Sequence, residues 1–285
     1  MKIIESPIEA LQGISNFIPT QKKIEYINSL LRVGFDLVET GSLVSRSYVP
    51  QMADSLEVLK KLDLSSTSSR LMFLVVNKKG AEIVSGYDEI SCISYPFSIS
   101  PIFSKLNLNT TFEKTLGDVD SICEICSRTG KEFILYFSMA FGNPYGDHWS
   151  IDLLRQWLER FIPMGIKIFP LSNVSVPIDE KMISAIYSTI IPLYPDIEFG
   201  LHLHTTHTGW YDKVNAAYLA GCRRFDTVMT GIGGCPTSGD EMLGNLDTIN
   251  MINFLHEMEI KSSIDGKVLL KTYGSVSKLF SEYLN

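Results

Sequence analysis

Two histidines separated by a single leucine lie in the segment L-H-L-H-T-T-H, residues 201–207. In an extended strand, residues i and i+2 point to the same side, so His202 and His204 would share the face opposite Leu203. Two imidazoles on one face can bind one divalent cation. The alternative interpretation is a hydrogen-bonded pair of interior histidines. His207 falls beyond the strand, and we expect it to lie in a loop that contacts substrate.

A glycine-rich segment, G-I-G-G-C-P, occupies residues 231–236. Glycines permit tight turns and let backbone amides approach an anion. They would also present Cys235 on a mobile loop that closes over a ligand, where its thiol could exchange a proton with substrate. A structural turn with an incidental cysteine is the alternative. Asn245 follows in L-G-N-L, where its amide oxygen could complete a metal shell or cap a helix.

Further polar side chains stand where other candidate strands end. Glu39, in V-E-T-G-S, could organise a metal site or hydrogen bonds, or could simply anchor a loop. The remaining polar candidates are Ser6, Glu9 and Gln12, which close the first strand, Asn173, which closes the sixth, and Asn143, which follows the fifth. In a parallel barrel, the carboxyl ends of the strands form the active-site face, so these residues would converge there.

Short runs rich in β-branched and aromatic residues alternate with amphipathic helical patterns, which predicts a parallel sheet with crossover helices. One helical pattern places apolar residues at Ile24, Ile27, Leu30 and Leu31. The eight candidate strands cover residues 2–6, 35–41, 70–77, 89–97, 132–141, 165–173, 197–206 and 223–233.

Eight strands, each followed by a helix, predict a single (β/α)8 TIM barrel over residues 1–285, a usual length for that fold. A doubly wound open sheet is the alternative, but no G-x-G-x-x-G follows the first strand. The segment after about Asn245 is predicted to supply a C-terminal helical extension. No linker or repeat divides the chain, so we expect one domain.

The composition narrows the function further. The net charge is −7, which argues against a nucleic-acid surface because phosphate binding needs clustered Lys and Arg. No stretch resembles a signal peptide or a membrane span. Five cysteines make no disulfide framework, so we expect a cytoplasmic protein. The C-x-x-C of Cys123 and Cys126 lies in a helical pattern without further ligands, which disfavours a metal or redox role.

Together these segments resemble the 3-hydroxy-3-methylglutaryl-CoA lyase family. The similarity runs from the segment SPIEALQGISNFIPT to about LGNLDTINMINFL. Its most specific stretches are residues 38–54, 97–109, 142–147, 202–206 and 231–245. The resemblance implies a metal-dependent TIM-barrel lyase that cleaves a 3-hydroxyacyl-CoA, giving acetyl-CoA and acetoacetate in the family, where the reaction belongs to leucine degradation.

The resemblance also implies roles for individual residues. The family's metal ligands match His202, His204 and Asn245, with Glu9 at the place of a ligating aspartate, and the cation would be Mg²⁺ or Mn²⁺. Cys235 matches the cysteine that transfers a proton, and Glu39 belongs to the active-site network. The catalytic set is therefore Cys235, His202 and Glu39, and the predicted substrate contacts are Gln12, Asn143, Asn173 and His207.

Two strand ends depart from the family pattern. The family's P-R-D-x-x-Q becomes Pro7-Ile8-Glu9-Ala10-Leu11-Gln12, so isoleucine replaces the arginine that stabilises the enolate. The family's S-D-T-x-G becomes Ser172-Asn173-Val174-Ser175. Loss of one charge-stabilising donor commonly costs about 10²–10³ in rate. We therefore expect weak cleavage of 3-hydroxy-3-methylglutaryl-CoA or a changed substrate, with a more apolar pocket floor at Ile8.

Three hypotheses follow. The first is a carbon–carbon lyase that acts on a small acyl-CoA or related acid, in a chain that forms a homodimer and binds neither nucleic acid nor membrane. The second is a catalytically silent paralogue that binds a ligand or a partner. The third is a barrel that serves only as an assembly surface. Metal content and turnover distinguish the first hypothesis from the others.

Overall fold

The computed structural model describes residues 1–174, 176–234 and 243–284. Eight parallel strands pair in chain order, and the eighth pairs with the first to close a barrel. This confirms the predicted (β/α)8 fold and all eight strands. The strands are β1 (Lys2–Glu5), β2 (Leu37–Leu43), β3 (Arg70–Val75), β4 (Ile90–Ser98), β5 (Glu132–Ser138), β6 (Ile168–Ser172), β7 (Glu198–His202) and β8 (Arg224–Thr227).

Helices connect the strands and form the outer layer of the barrel. None of the described helices is both long enough and apolar enough to cross a membrane. The α-helices are α1 (Pro7–Gln12), α2 (Thr20–Leu31), α3 (Ser55–Leu59), α4 (Lys78–Ser85), α5 (Pro101–Leu108), α6 (Phe112–Thr129), α7 (Ile151–Phe161), α8 (Glu180–Leu193), α9 (Tyr211–Leu219), α10 (Thr248–Glu257) and α11 (Gly266–Tyr283).

The alternation of side chains along each strand separates two apolar clusters. A small cluster fills the inside of the barrel and consists of Ile4, Leu37, Met72, Cys92, Ile134, Tyr136 and Ile168. A much larger cluster lies between the strands and the helices. In β2, Leu37 therefore faces the interior and Val38 faces the helices, so Glu39 points back toward the interior.

Helix α2 illustrates how sequence periodicity produces the outer layer. Its residues Ile24, Ile27, Leu30 and Leu31 are all buried, as the 3.6-residue pattern predicts. The predicted C-terminal extension is present as α10 and α11. Tyr26 of α2 meets Phe280 of α11 edge to face, with ring centroids 5.3 Å apart.

The last two strands end furthest before the position that the sequence pattern predicts. Strand β7 ends at His202, and His204 instead forms an isolated antiparallel bridge with Asn245. Strand β8 ends at Thr227 and is followed by a 3-10 turn in which Thr230 has φ +70°. That left-handed backbone cannot continue a strand, so residues 228–233 were wrongly assigned to it.

Candidate active site

Three potential metal ligands converge at the carboxyl ends of β7 and β1. One ligand atom from each of Glu9, His202 and His204 lies within 4.8 Å of the other two. His202 is the last residue of β7, and Glu9 lies in α1, which directly follows β1. The barrel thus brings together residues that are far apart in the chain, at the face where such barrels carry their active sites.

His202 is oriented by a carboxylate on the neighbouring strand. Its Nδ1 lies 3.1 Å from Asp226 Oδ2, and Asp226 is almost fully buried on β8. When Nδ1–H donates to Asp226, the lone pair of Nε2 is left for a metal ion. Burial alone would lower the pKa of His202, but the hydrogen bond to Asp226 and the charge of Glu9 raise it. The acidic side chains of Asp226 and Glu9 therefore favour the protonated form of the imidazole.

His204 is fixed through its backbone. Its N–H donates to Asn173 Oδ1 at 2.9 Å, and its carbonyl accepts from Asn173 Nδ2 at 3.0 Å. Burial and the neighbouring His202 lower the pKa of His204 to about 3. The ring is consequently neutral at physiological pH, which is the form that ligates a metal. The two imidazole centroids lie 5.0 Å apart.

Asn245 extends the set with an amide oxygen that has no hydrogen-bond partner within the described part of the chain. Its Nδ2 donates to the carbonyl of Ile232 at 2.9 Å, which fixes the amide orientation. Its Oδ1 is buried and accepts no hydrogen bond from the described residues. A buried acceptor without a donor is costly unless a ligand satisfies it. Because Asn245 bridges to His204, this orphaned oxygen and the three-residue cluster together fit a divalent cation.

The glycine-rich segment packs directly onto Glu9. Gly233 has φ +89°, and a Cβ there would come within 1.9 Å of the Glu9 carbonyl oxygen, so no larger residue fits. Gln12 donates from Nε2 to Glu9 Oε2 at 2.6 Å and to the Gly234 carbonyl at 3.3 Å. Glu9 is thereby tied to the loop, and burial raises the pKa of its carboxyl.

Glu39 lies on β2 and faces the same space. The side chain is buried, and burial together with the nearby charge of Glu9 raises its pKa to about 8. A carboxyl group whose pKa lies near neutral pH can both give and take protons. The sequence suggested either an organising role or a loop anchor, and the position inside the barrel favours the first.

These groups open onto one cavity of about 460 Å³, a size typical of small-molecule sites. Its lining combines the polar residues above with apolar side chains from β2, β3 and β4 and the segments that follow them. The lining residues are Ser6, Glu9, Gln12, Glu39, Val44, Ser45, Ser47, Tyr48, Val49, Leu74, Val76, Pro96, Phe103, Asn109, Tyr136, Ser138, Ser172, Val174, His202 and His204.

Comparison with known proteins decides the family. The model of the HMGL-like family matches residues 9–276, nearly the whole chain, including Glu9, Glu39, His202, His204 and Asn245. The chain belongs to the HMGL-like family. By family and fold, it is a carbon–carbon lyase.

Several HMGL-like relatives are similar along almost their full length. The (R)-citramalyl-CoA lyase of Chloroflexus aurantiacus is 25% identical over 274 residues, covering 93% of this chain and 86% of the relative. The mitochondrial hydroxymethylglutaryl-CoA lyase of Macaca fascicularis is 28% identical over 278 residues, covering 95% and 83%.

A solved HMGL-like structure has nearly the same backbone. The HMG-CoA lyase of Acinetobacter baumannii, in complex with coenzyme A and 3-methylmalate, superposes with a TM-score of 0.90 at 26% identity. The alignment covers 99% of this chain and 91% of that one. The expected resemblance to hydroxymethylglutaryl-CoA lyases is therefore confirmed.

Three of the predicted substrate contacts are not among the lining residues of the cavity. Asn143 accepts from the backbone N–H groups of Tyr145 and Asp147 and so shapes its own loop. Asn173 uses its amide to hold His204, as described above. His207 is exposed beyond β7. Cys235 lies outside the described residues, whereas Gln12 lines the cavity as expected.

The location of the Ile8 side chain differs from what the sequence suggested. It is 4% exposed and packs in the large apolar cluster between strands and helices, and it is not among the lining residues. The expected apolar pocket floor at Ile8 is therefore wrong. The position that the resemblance gives to arginine supplies no charge to the cavity, and the apolar part of the lining includes Leu74 of β3, Pro96 of β4 and valines that follow the strands instead.

Two residues of the site were missed by sequence reasoning. Asp226 orients His202, and Tyr136 places its ring 5.6 Å from that of His202, edge to face. A signal for Asp226 existed, since a carboxylate inside the apolar strand R-R-F-D-T needs a partner when buried. Nothing in the pattern F-I-L-Y-F distinguishes Tyr136 from a core aromatic residue.

Proposed function

We propose that this protein cleaves the bond between C2 and C3 of a 3-hydroxyacyl-CoA, releasing acetyl-CoA and a carbonyl product. The observation that carries the proposal is the convergence of Glu9, His202 and His204 at the active-site face of an HMGL-like barrel. Two of the relatives are named as lyases of CoA thioesters with a hydroxyl group, and a third is bound to coenzyme A.

The proposed cofactor is Mg²⁺ or Mn²⁺. Glu9, His202, His204 and Asn245 would hold it, through one carboxylate oxygen, two imidazole nitrogens and one amide oxygen. When bound, such a cation polarises substrate oxygen atoms and stabilises the negative charge that develops on them. The mixed nitrogen and oxygen donors suit a divalent ion of intermediate hardness such as Mn²⁺, and Mg²⁺ is the oxygen-preferring alternative.

The chain's own groups would move the protons. Glu39 is proposed to exchange a proton with the reacting oxygen, since its carboxyl group lies inside the cavity near His202. His202 contributes to the charge balance because Asp226 stabilises its imidazole from the other side. Cys235 is proposed, from the resemblance, to protonate C2 of the leaving acetyl unit. Gln12 holds Glu9 in position and lines the space that the substrate would fill.

The mouth of the cavity supports a coenzyme A substrate. Arg46 is exposed and lies between Ser45 and Ser47, which both line the cavity. Lys105 is exposed on α5, two residues after Phe103, another lining residue. Both cations are exposed and neither is among the lining residues, which suits the solvent-exposed phosphates of coenzyme A. We propose that they contact those phosphates.

A cytoplasmic location and a homodimer are further proposals. Cys92, Cys123, Cys126 and Cys222 are all free thiols, which fits a reducing compartment. The dimer follows from the resemblance and is tested by light scattering of the purified protein.

The function is tested by following acetyl-CoA release from 3-hydroxy-3-methylglutaryl-CoA and related 3-hydroxyacyl thioesters, with Mn²⁺ or Mg²⁺ and after treatment with EDTA. Turnover should require the cation and should disappear in His204→Ala. His256→Ala, an exposed histidine on α10, is the matched control and should retain turnover. Folded protein that binds Mn²⁺ but cleaves none of the thioesters would favour a silent paralogue.

A further inference from the structure

Charged side chains form a row through the interior of the barrel along the adjacent strands β7 and β8. Phe199, Leu201 and Phe225 belong to the outer core, so alternation points the residues beside them inward. The inward residues that carry or can carry a charge are Glu198, His202, Arg224 and Asp226. Lys2 extends the row, because it begins β1 and forms an ion pair with Glu198. We call these five residues the interior column.

The interior column connects the proposed metal site with the opposite end of the barrel. His202 pairs in register with Asp226, and Arg224 lies two residues earlier on β8. The carboxylate of Asp226 lies 3.1 Å from His202 Nδ1 through Oδ2 and 3.7 Å from Arg224 Nε through Oδ1. Arg224 Nη1 donates to Glu198 Oε1 at 3.1 Å. Glu198 and Lys2 begin their strands, so the column ends on the face away from the cavity.

Gly200 provides the space that Arg224 occupies. A Cβ on Gly200 would lie 2.8 Å from Cδ of Arg224, so a larger residue on β7 would displace the arginine. Arg224 is only 2% exposed. Burial alone would lower the pKa of its guanidinium, but the charges of Asp226 and Glu198 raise it. Arg224 is therefore a buried cation for which the neighbouring strand leaves a defined place.

Arg224 and Asp226 each have a hydrogen-bonding group that is left over at the point where they approach. Within the described part of the chain, Nε and Nη2 of Arg224 donate to no acceptor, and Oδ1 of Asp226 accepts from no donor. Buried polar groups without a partner are costly, and charged groups more so. Nε and Oδ1 are 3.7 Å apart, so a movement of less than about 1 Å gives them a charge-assisted hydrogen bond. The arginine thus holds one carboxylate oxygen, and His202 contacts the other.

A carboxylate that is held at one oxygen keeps its second oxygen in a fixed direction. The terminal torsion of an aspartate is soft, so without a second contact the carboxylate of Asp226 would rotate. Oδ2 must point at Nδ1 of His202 if that nitrogen is to donate and Nε2 is to be left for a cation. Among the ion pairs of the described residues, Arg224 is the only lysine or arginine that Asp226 contacts.

The positive charge of Arg224 also opposes a cation at the metal site, but from farther away. A cation on Nε2 of His202 would lie across the imidazole ring from Asp226, whereas Arg224 Nε is 3.7 Å from that carboxylate. Coulomb interactions weaken with distance. Glu198, 3.1 Å from Arg224, offsets the charge further. The orienting effect on Asp226 is therefore larger than the direct repulsion.

We propose that Arg224 is a positioning residue of the metal site, which fixes the Asp226 carboxylate against His202 and thereby strengthens binding of the divalent cation. Arg224 is not among the residues that line the cavity, so it acts without touching substrate or cation. The proposal rests on the metal site of the function proposed above. It extends that site into the middle of the barrel, and it concerns metal affinity rather than turnover.

Arg224→Met removes the guanidinium but keeps a long side chain beside Gly200. Calorimetric titration with Mn²⁺ should show about fivefold weaker binding than in the wild-type protein, a smaller loss than the roughly tenfold or more expected for a group that contacts a ligand directly. Arg224→Lys keeps the charge without the planar fork, so its affinity should lie between the two. Unchanged or tighter binding by Arg224→Met would overturn the proposal, and so would a lysine variant that binds no better than the methionine variant.

Arg70→Met is the matched control. Arg70 begins β3 at the same end of the barrel and pairs with Glu132 at 2.7 Å, but it does not belong to the interior column. This variant should bind Mn²⁺ as the wild-type protein does. An equal loss of affinity would assign the effect to the missing positive charge in general and would contradict a role through Asp226. If Arg224→Met does not fold, Arg224→Gln takes its place, since it keeps a donor without the charge, and the same weakening is expected.

A double-mutant cycle separates positioning from stability. Asp226→Asn removes the carboxylate through which Arg224 acts, so adding Arg224→Met to that variant should change the Mn²⁺ affinity by less than about twofold. Losses that multiply would show that Arg224 acts by another route and would overturn the proposal. Mn²⁺ binding without cleavage of any thioester ends the lyase function and leaves this cycle valid. A wild-type protein that binds no Mn²⁺ overturns the metal site and this inference together.

Discussion

Glu5 and Glu39 are two buried glutamates on adjacent strands, and they differ in the hydrogen-bond donors that surround them. Glu5 ends β1 and pairs in register with Val38, the neighbour of Glu39 on β2. Burial raises the pKa of each carboxyl to about 8, with the charge of Glu9 adding to the shift at Glu39. Their exposure and acidity therefore do not distinguish a structural role from a catalytic one.

The hydrogen bonds make the distinction. Glu5 points toward the helices, where its two oxygens accept from Thr227 Oγ1 at 3.1 Å, Thr248 Oγ1 at 2.7 Å and the Met229 N–H at 2.7 Å. These contacts join β1 to β8 and α10. We call this group the Glu5 cluster. Glu39 points into the barrel instead and lines the cavity.

A raised carboxyl pKa therefore accompanies two different roles in this protein. In the Glu5 cluster, the donors fill the oxygens of the carboxyl group, so no ligand is needed and none has access. At Glu39, the same desolvation acts on a group that faces an open space beside His202 and Glu9. A perturbed pKa indicates a functional site only when the geometry also leaves room for a reactant.

The largest effect is expected at the proposed metal site of Glu9, His202 and His204, which lies beside Glu39. His204→Ala removes a neutral imidazole ligand whose backbone is independently held by Asn173, so the fold should survive. Removal of groups that merely orient a ligand typically costs about 10–100-fold in metal affinity, and loss of a ligand should cost more. Titration with Mn²⁺ should therefore show no stoichiometric binding. Binding that matches the wild-type protein would contradict the assigned cluster.

Glu39→Gln tests whether the glutamate that faces the cavity takes part in catalysis. A proton-exchanging side chain commonly contributes about 10²–10⁴ to the rate, so kcat should fall at least about a hundredfold. The free energy of unfolding should stay the same or rise, because the raised pKa of Glu39 costs stability above its ordinary value of 4.5 and an amide does not titrate. Glu5→Gln is the matched control and should retain turnover. Equal losses of kcat in both variants would remove the distinction drawn above.

Asp226→Asn should have a smaller effect on the same site. The amide still reaches Nδ1 of His202 but no longer carries the negative charge that supports the imidazole. Metal affinity should fall by about tenfold, at the lower end for a group that orients a ligand. Calorimetry with Mn²⁺ measures this directly, and unchanged affinity would show that Asp226 serves Arg224 alone, which lies 3.7 Å away.

Much of the fold could be predicted because periodicity is a local property. The alternation in β2 and β3 and the buried stripe of α2 are visible in short windows of sequence, so all eight strands were found. Strand ends depend on local backbone conformation and on bridges to distant residues, which short windows of sequence do not reveal. The left-handed conformation of Thr230 and the bridge between His204 and Asn245 ended β8 and β7 earlier than predicted.

The site was predictable to the extent that residue type determines chemistry. His202, His204 and Glu9 were identified, and the barrel brings them together. The partners of Asn143 and Asn173 were not predictable, because an amide that shapes a loop resembles one that binds a ligand until its hydrogen bonds are known. The location of Ile8 in the outer core depended on the direction of α1, which a motif alignment does not contain.

The smallest effect on turnover is expected at the Glu5 cluster, whose contribution appears in the pH dependence of stability. The folded pKa of Glu5, about 8, lies above the ordinary value of 4.5 expected in the unfolded chain. Between these values the folded protein holds a proton that the unfolded chain has released. The free energy of unfolding therefore falls as pH rises through this interval, by up to about 1.4 kcal/mol per pH unit for one proton, and becomes level above it.

Glu5→Gln should remove that contribution, since an amide keeps an oxygen acceptor for the threonine hydroxyls without titrating. Urea unfolding between pH 5 and pH 9 should show a shallower decline for Glu5→Gln than for the wild-type protein, with unchanged kcat per folded molecule. Saturating Mn²⁺ provides the contrast, because a cation beside Glu9 lowers the pKa of Glu39 but does not reach Glu5. The decline due to Glu39 should thus disappear with Mn²⁺, while the decline due to Glu5 persists. A Mn²⁺-loaded wild-type protein with no decline at all would show that Glu5 is ionised in the folded state, and that its three donors outweigh its burial.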